Sequence, residues 1–121
     1  MDEKPTATTR NIAEVLWETP AGHSDAHSKM LINPDNSASR RFDYRISSYQ
    51  PKGFVAPHRH KVQEQIYHIL DGEALMEIEG ERRIVRRHDC IHLPPGVEHA
   101  IYNTGLADLV FIVVTSPPTD E

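Results

Sequence analysis

Short stretches in which apolar and polar residues alternate are the main pattern along this chain. Between residues 41 and 49, one set of alternate positions holds Phe42, Tyr44, Ile46 and Ser48, and the other holds Arg41, Asp43, Arg45, Ser47 and Tyr49. Residues 74–79 alternate in the same way. Because successive side chains of a strand point to opposite faces, both stretches predict half-buried β-strands.

Further short segments that contain apolar residues and lie between turns predict the remaining strands, in residues 11–18, 30–32, 66–70, 82–87, 89–93 and 109–114. Turns rich in Pro, Gly and Asn separate them. Residues 19–29 are rich in small polar residues and predict a loop with solvated His23 and His27, since Pro20 and Gly22 oppose a helix there. Many short strands without helical periodicity predict an all-β antiparallel sandwich or barrel.

Length and charge limit the possible functions. A chain of 121 residues fits one domain, which we expect at residues 11–116, with tails at 1–10 and 117–121. The net charge of -5 argues against a nucleic-acid partner. The chain has no apolar run long enough to span a bilayer and no apolar signal segment at its N-terminus, so we expect a cytoplasmic protein with no membrane partner.

Two single residues suggest packing roles. Trp17 is the only tryptophan, and we expect it in the core or at a subunit interface. Cys90 is the only cysteine, so it has no partner for an internal disulfide, and we expect a small buried strand residue.

His58 and His60 are the first candidates for chemistry. They stand two apart in a segment that Pro57 and the following apolar run favour as a strand, so both imidazoles point the same way. Such a pair can chelate a metal ion, but a protein site takes three or four donors. His99 follows a tight turn at residues 94–96 and would supply a third imidazole if the two segments meet.

These two segments resemble the paired motifs of the cupin superfamily. Four positions match the first motif: Gly53, His58, His60 and Gly72. Four match the second: Pro94, Gly96, His99 and Asn103. The gap after Gly53 is one residue shorter than usual, and His88 stands where the second motif begins with Gly. The resemblance spans residues 53–103 and implies a jelly roll with a metal ion inside its mouth, assembled as a homodimer.

The resemblance leaves the fourth metal ligand open between two neighbours. Counting back from Gly72 puts Gln65 in the place of the family's Glu, whereas counting forward from His60 puts Glu64 there. We favour Gln65, because it shares strand parity with Tyr67, whereas Glu64 would need a bulge to turn inward. A Gln binds through a neutral carbonyl oxygen, so the ion would keep its full double charge and favour anionic or enolisable ligands.

Two further residues are candidates for catalytic roles. His92 could line the pocket mouth and carry a proton, since the pKa of a free imidazole lies near neutrality; a packed or surface imidazole is the alternative. Tyr67 is expected to line the pocket or the core. The expected apolar walls of the pocket are Phe54, Ala56, Met76, Ile101 and Phe111.

These features predict a cupin that binds one divalent Fe, Mn, Ni or Zn ion and acts as an enzyme on a small organic molecule. Three imidazoles and one oxygen donor leave about two open positions on an octahedral ion, which suits a dioxygenase and equally an isomerase or lyase. One alternative is a noncatalytic module that binds or senses a small ligand. Another is a scaffold whose histidines bind metal only adventitiously.

Overall fold

The computed structural model describes residues 4–121, which form a curled antiparallel sheet with the shape of a half-barrel. Its strands are β1 (His23–Ile32), β2 (Asp43–His58), β3 (Glu64–Asp71), β4 (Glu73–Ile78), β5 (Glu81–Arg86), β6 (Cys90–Leu93), β7 (His99–Tyr102) and β8 (Leu109–Ser116). The order across the sheet is β5-β4-β7-β2-β8-β3-β6, and β1 pairs with β2. The predicted all-β antiparallel architecture is confirmed.

The long strand β2 connects the two parts of the sheet. Its first half lies between β1 and β8, and its second half pairs with β7. At Gly53 a Cβ atom would lie 2.3 Å from the carbonyl oxygen of Asp25, so the close approach of β1 requires glycine there. This explains the first motif glycine as a packing requirement rather than a ligand contact.

A register shift in β2 decides which side chains face inward. The pairing with β7 shifts between Val55 and His58, in the segment that contains Pro57, a residue unable to donate to the ladder. Val55 is buried and Ala56 is exposed, while the Phe54 ring stacks on Tyr102 with centroids 5.8 Å apart. The prediction that Phe54 and Ala56 form inner walls is therefore wrong, because the shift changes the inward parity before His58.

The apolar core fills the inside of the curl. Met76, Ile101 and Phe111 are each at most 1% exposed, so all three face inward as predicted, but only Phe111 also lines the cavity that contains His58 and His60. Ile69 is fully buried on β3, and Tyr67 on the same face is 4% exposed. The inward parity predicted for β3 is thus the observed one, with His68 on the exposed outer face.

Two N-terminal segments differ from the prediction. Residues 11–18 do not form a strand: Ile12–Glu14 is a 3-10 helix, capped where the Asn11 side chain accepts a hydrogen bond from the Ala13 N–H at 2.8 Å. Residues 19–29 are not all loop, because β1 begins at His23 and pairs with β2. Pairing with a neighbouring strand overrides the weak strand propensity of this polar segment.

Trp17 and Cys90 are both exposed. Trp17 is 50% exposed, and the Lys29 ammonium lies 4.7 Å from the centroid of its ring, so the core role is wrong and the interface role stays a prediction. The prediction of a buried Cys90 is also wrong, because the inner face of β6 is taken by Ile91 and Leu93. Among residues 4–121, no helix has the length and apolar character needed to cross a membrane.

Candidate metal centre

Three imidazoles meet where β2 pairs with β7. His58 and His99 are direct partners in the register, and their ring centroids are 4.3 Å apart. His60 follows β2, with its ring centroid 5.1 Å from that of His58 and 5.7 Å from that of His99. Ligand nitrogens of the three residues all lie within 4.8 Å of one another. The structure thus brings together the histidines of both sequence motifs in a cluster that could bind a metal ion.

The turn before His99 ties the two motifs together. Gly96 has a φ of 81°, a conformation that glycine adopts without strain, and its N–H donates to the carbonyl of His60 at 2.7 Å. This backbone hydrogen bond joins the turn of the second motif to the end of the first. The Pro-Pro-Gly sequence therefore serves to position His60 relative to His99.

Backbone carbonyls determine which ring nitrogen is free. Nδ1 of His58 lies 2.8 Å from the carbonyl oxygen of Ala56, and Nδ1 of His99 lies 3.0 Å from that of Val97. A carbonyl only accepts, so each Nδ1 donates and each Nε2 keeps its lone pair. Nε2 of His60 and Nε2 of His99 are buried and have no hydrogen-bond partner within residues 4–121. Unpaired imidazole lone pairs this close together fit a transition-metal ion.

Burial favours the neutral form of His99 and His60. It lowers the pKa of His99 to about 4, against a smaller raising effect of the hydrogen bond to Val97, and His58 and His60 lower it further. Burial also lowers the pKa of His60, and the charge of His58 adds to this effect. Since a metal ion binds the neutral imidazole, the lowered pKa values of His99 and His60 favour metal binding.

The two candidates for the fourth ligand lie on opposite faces of β3. Gln65 is 8% exposed and lines the same cavity as His58 and His60, and its Oε1 is buried without a partner within the described chain. Glu64 is exposed, and its carboxylate lies 2.9 Å from Nε2 of His92. The pairing of β3 with β8 is regular at both positions, so no bulge turns Glu64 inward.

The two candidate catalytic residues lie in different places. Tyr67 lines the cavity, with its ring centroid 5.8 Å from that of His99, and burial raises its pKa, so the phenol stays protonated. His92 is exposed on the outer face of β6, beside Glu64, and is not among the residues that line this cavity.

The cavity is more polar than the sequence suggested. It has a volume of about 150 Å³, and β2 contributes Asp43, Arg45 and Ser47 to its wall. The alternation along residues 41–49 had placed these three on one face with Tyr49, but it did not show that this face points inward. The one feature of the sequence that could have indicated an inward polar face is the pair of opposite charges at Asp43 and Arg45, two residues apart.

His23 was also missed as part of this wall. It lies at the start of β1 and lines the cavity, with its ring edge-on to Tyr49 at a centroid distance of 5.9 Å. Burial lowers its pKa, so the prediction of a solvated loop histidine is wrong for His23. His27 is partly buried, and its Nδ1 lies 2.9 Å from the Thr19 hydroxyl, away from the cavity.

The segment after β8, expected as a tail, contacts the loop between His60 and β3. The Asp120 carboxylate accepts three backbone N–H groups, those of Lys61, Val62 and Gln63, at 2.8, 2.6 and 2.9 Å. The Gln63 side chain donates to the carbonyl of Pro117 at 3.1 Å. These contacts hold the loop that leads from His60 to Gln65.

Comparison with known proteins agrees with the fold and the cluster. A family model described as "Cupin domain" matches residues 45–115, a span that contains all three clustered histidines. The chain belongs to the cupin family. Cupins commonly bind a metal, and in this cupin the residues that could bind one are His58, His60 and His99.

The curated relatives align with this cupin over different lengths. An uncharacterized protein of Methanocaldococcus jannaschii is 38% identical over 61 residues, which are 50% of this chain and 49% of that protein. An oxalate-binding protein of Thermotoga maritima is 34% identical over 64 residues, 53% of each chain. A β-D-galactosidase of Mycobacterium tuberculosis is 26% identical over 113 residues, 93% of this chain and 96% of that enzyme. Two of these three matches therefore span about half of the relative's length.

Solved structures of similar proteins share the fold. One is described as a predicted oxalate decarboxylase of Thermotoga maritima, with a TM-score of 0.81 and 23% identity over 90% of this cupin and 98% of that chain. Another is a polyketide cyclase of Streptomyces resistomycificus, also with a TM-score of 0.81 and 23% identity, over 93% and 83% of the two chains. At such identities the likeness shows the architecture alone.

Proposed function

We propose that this cupin binds one divalent Fe, Mn, Ni or Zn ion through His58, His60, His99 and Gln65, and acts as an enzyme on a small anionic or enolisable substrate. The observation that carries the proposal is the set of unpaired ligand atoms in one buried place: Nε2 of His60, Nε2 of His99 and Oε1 of Gln65. Leaving these atoms unpaired in the apoprotein costs free energy, and a metal ion would satisfy all three.

The residues around the cluster have separate roles in this proposal. The carbonyls of Ala56 and Val97 orient two of the imidazoles, and Thr115 orients the amide of Gln65. All four ligands are neutral, so a bound ion would supply an undiminished double charge as a Lewis acid toward an oxygen of the substrate. The protonated hydroxyl of Tyr67 would act as a hydrogen-bond donor to the substrate in the same cavity.

The reaction classes that we propose are oxidation by dioxygen, isomerisation and lyase chemistry. The relatives and structural neighbours include an oxalate-binding protein, a β-D-galactosidase and a polyketide cyclase, so proteins named for different activities share one architecture. The fold therefore does not select a reaction, and the choice depends on the ligands and the cavity wall.

A noncatalytic ligand-binding module is the second candidate. It is favoured by one comparison, because the Thermotoga maritima relative is named for binding oxalate and not for converting it. In that case the same metal site would hold a small anion without turnover.

Metal analysis of protein purified without a histidine tag tests the metal site, which the enzyme and the noncatalytic module have in common. We expect close to one ion per chain in the wild type and a large loss in the variant His99→Ala. Oxygen uptake and substrate consumption would then be followed with diketones, catechols and hydroxy acids. Metal-dependent oxygen uptake indicates a dioxygenase, substrate loss without oxygen uptake indicates an isomerase or lyase, and binding without turnover indicates the second candidate. Wild-type protein without bound metal after reconstitution would refute the proposed site.

A further inference from the structure

The cavity wall carries a pair of opposite charges that the metal ligands do not use. Asp43 and Arg45 stand two apart on β2, so their side chains share a face, and both line the cavity. The side chain of Asp43 is 5% exposed and that of Arg45 is 26% exposed. Arg45 Nη2 lies 3.4 Å from Asp43 Oδ2, which is long for a charged hydrogen bond. The two groups therefore satisfy each other only in part.

Each member of the pair keeps one buried atom without a partner. Within residues 4–121, the buried side-chain atoms without a hydrogen-bond partner are Asp43 Oδ1, Arg45 Nε, His60 Nε2, Gln65 Oε1 and His99 Nε2. Four of these five residues line the cavity, and the fifth belongs to the histidine cluster. Buried unpaired polar atoms are costly, so their concentration in one cavity indicates a polar ligand.

Arg45 shares one cavity with the histidine cluster. The side chains that line it include those of Arg45, His58 and His60. A ligand that fills this cavity therefore contacts both Arg45 and the residues proposed to hold the metal ion.

The two unpaired atoms need different partners. Arg45 Nε–H is a donor only and favours an anionic oxygen. Burial raises the pKa of Asp43, whereas Arg45 and the Thr115 hydroxyl favour its carboxylate form. The unpaired Oδ1 of this carboxylate only accepts, so it needs a further donor such as a hydroxyl group. A molecule with a carboxylate and a neighbouring hydroxyl satisfies both. A dicarboxylate without a hydroxyl offers no donor to Asp43 and brings a second negative charge near it.

The size of the cavity limits the ligand. Its volume is about 150 Å³. A protein cavity of roughly 150 Å³ holds a benzene molecule, so the enclosed part of the ligand has about six non-hydrogen atoms.

We infer that Asp43 and Arg45 determine the specificity of this cavity and that its ligand is a small 2-hydroxy carboxylate. Arg45 Nε–H donates to the carboxylate, and Asp43 Oδ1 accepts the hydrogen of the hydroxyl. The inference rests on the proposed function, because the same cavity faces the proposed metal ligands. It narrows the substrate class from small anions to hydroxy acids.

Calorimetric titration of zinc-loaded protein with lactate and with oxalate tests the inference. In the variant Asp43→Ala we expect lactate to bind at least about tenfold more weakly, the effect of one lost charge-assisted hydrogen bond, and oxalate to bind equally well or more tightly because a repulsive charge is gone. In Arg45→Met we expect both ligands to bind more weakly. Since the metal contributes to every variant alike, the change between variants isolates the pair.

Arg41→Met is the matched control, because Arg41 lies two residues before Asp43 and its side chain is exposed. We expect it to leave both affinities unchanged. Equal weakening of lactate and oxalate in Asp43→Ala, or unchanged lactate binding in Arg45→Met, would overturn the inference. Asp43→Leu, which also removes both the acceptor oxygen and the charge, tests the same opposite changes if Asp43→Ala does not fold.

Metal content, measured for every sample, separates this inference from the proposed function. A metal-loaded wild type that binds no lactate overturns the hydroxy-acid inference and leaves the metal site standing. A wild type that cannot be loaded with metal refutes the proposed function. Titration of the metal-free protein with lactate then tests whether Asp43 and Arg45 bind the hydroxy acid. If the metal-free wild type binds lactate and Arg45→Met does not, the role of Asp43 and Arg45 in ligand binding is supported. If the metal-free wild type binds no lactate, that role is overturned.

Discussion

The side-chain amide of Gln65 donates to the hydroxyl of Thr115 at 3.0 Å, between partners in the register of β3 and β8. Because Nε2 makes this bond, Oε1 is the atom left without a partner in the buried cavity. The orientation of the amide therefore comes from the adjacent strand, in the same way that hydrogen-bond partners orient metal ligands in many proteins.

From this contact we predict that Gln65→Ala raises the dissociation constant for metal by at least about tenfold. Loss of a residue that only hydrogen-bonds to a metal ligand already weakens metal binding by about tenfold or more, and loss of a ligand should cost at least as much. Glu64→Ala serves as the matched control and should have a smaller effect, because Glu64 is exposed on the opposite face. Competition with a fluorescent chelator measures both constants. A larger effect of Glu64→Ala would mean that the fourth ligand is assigned to the wrong neighbour.

We predict that His58→Ala and His99→Ala each lose most of the bound metal while the chain still folds. Each substitution removes one of the three clustered imidazoles, and a site with two imidazoles holds a transition metal much more weakly. Elemental analysis gives the metal content, and circular dichroism gives the fold. His68→Ala is the control, since His68 is exposed on β3, and metal retained in both cluster variants would contradict the assignment.

Asn103 should matter for stability and not for metal binding. Its buried Nδ2 donates to the carbonyls of Tyr49 and Ala107 at 2.8 and 2.9 Å, and its Oδ1 accepts from the N–H of Gly105 at 3.0 Å. Asn103→Ala leaves these groups unpaired, and we expect it to lower the free energy of unfolding by about 2–4 kcal/mol. Urea unfolding measures the change.

Asn103→Asp provides a sharper comparison at the same position. Its carboxylate keeps an acceptor for Gly105 but presents an oxygen to two carbonyl groups, so we expect it to be at least as destabilising as Asn103→Ala. Wild-type stability of Asn103→Asp would show that the two carbonyl contacts do not contribute.

Asp120 should stay ionised in acid far below the usual range of a carboxyl group. Hydrogen bonds from the backbone N–H groups of Gln63, Lys61 and Val62 lower its pKa to about 2 from 3.8. Because the folded-state pKa is depressed, its contribution to stability is present above the unfolded pKa and is lost as the pH falls from about 3.8 through about 2. Carbon NMR of the Asp120 carboxyl group, titrated across this window, measures the midpoint.

The same contact predicts a local dynamic effect. In Asp120→Ala, we expect the amides of residues 61–63 to exchange hydrogen with solvent faster, since all three lose their acceptor. Glu121→Ala is the control, as an exposed neighbouring carboxylate. Unchanged amide exchange in Asp120→Ala would mean that the C-terminal segment does not hold this loop in solution.

The spacing of motif residues allowed most of the histidine cluster to be predicted. His58 and His60 are two apart and their ring centroids lie 5.1 Å from each other, as predicted, but the strand expected to hold both ends at His58. The turn before His99 depends on Pro and Gly, whose backbone preferences are local and can be recognised from residue type. The turn and the spacing depend on chemistry within a few residues, whereas the meeting of His99 with His58 depends on the pairing of β2 with β7, which only the family resemblance implied.

Errors arose where the decisive partner is far away in the chain. His23 belongs to a strand only because β2 supplies its hydrogen bonds, and residues 19–29 by themselves have weak strand propensity. Phe54 and Ala56 were placed inside because a strict alternation was assumed, whereas the register shift with β7 occurs after Val55. Cys90 was expected to be buried from its residue type, but its exposure depends on which face of β6 meets the core.

The amino-acid sequence alone is enough to predict an all-β chain with a tight Pro-Pro-Gly turn and paired histidines, because alternation, turn preference and short spacing are encoded locally. That the charged face of β2 points inward, so that Asp43 and Arg45 line the cavity with Gln65, is known only from the folded chain. A strand offers two equivalent faces, and the choice between them depends on how the whole sheet curls around its core.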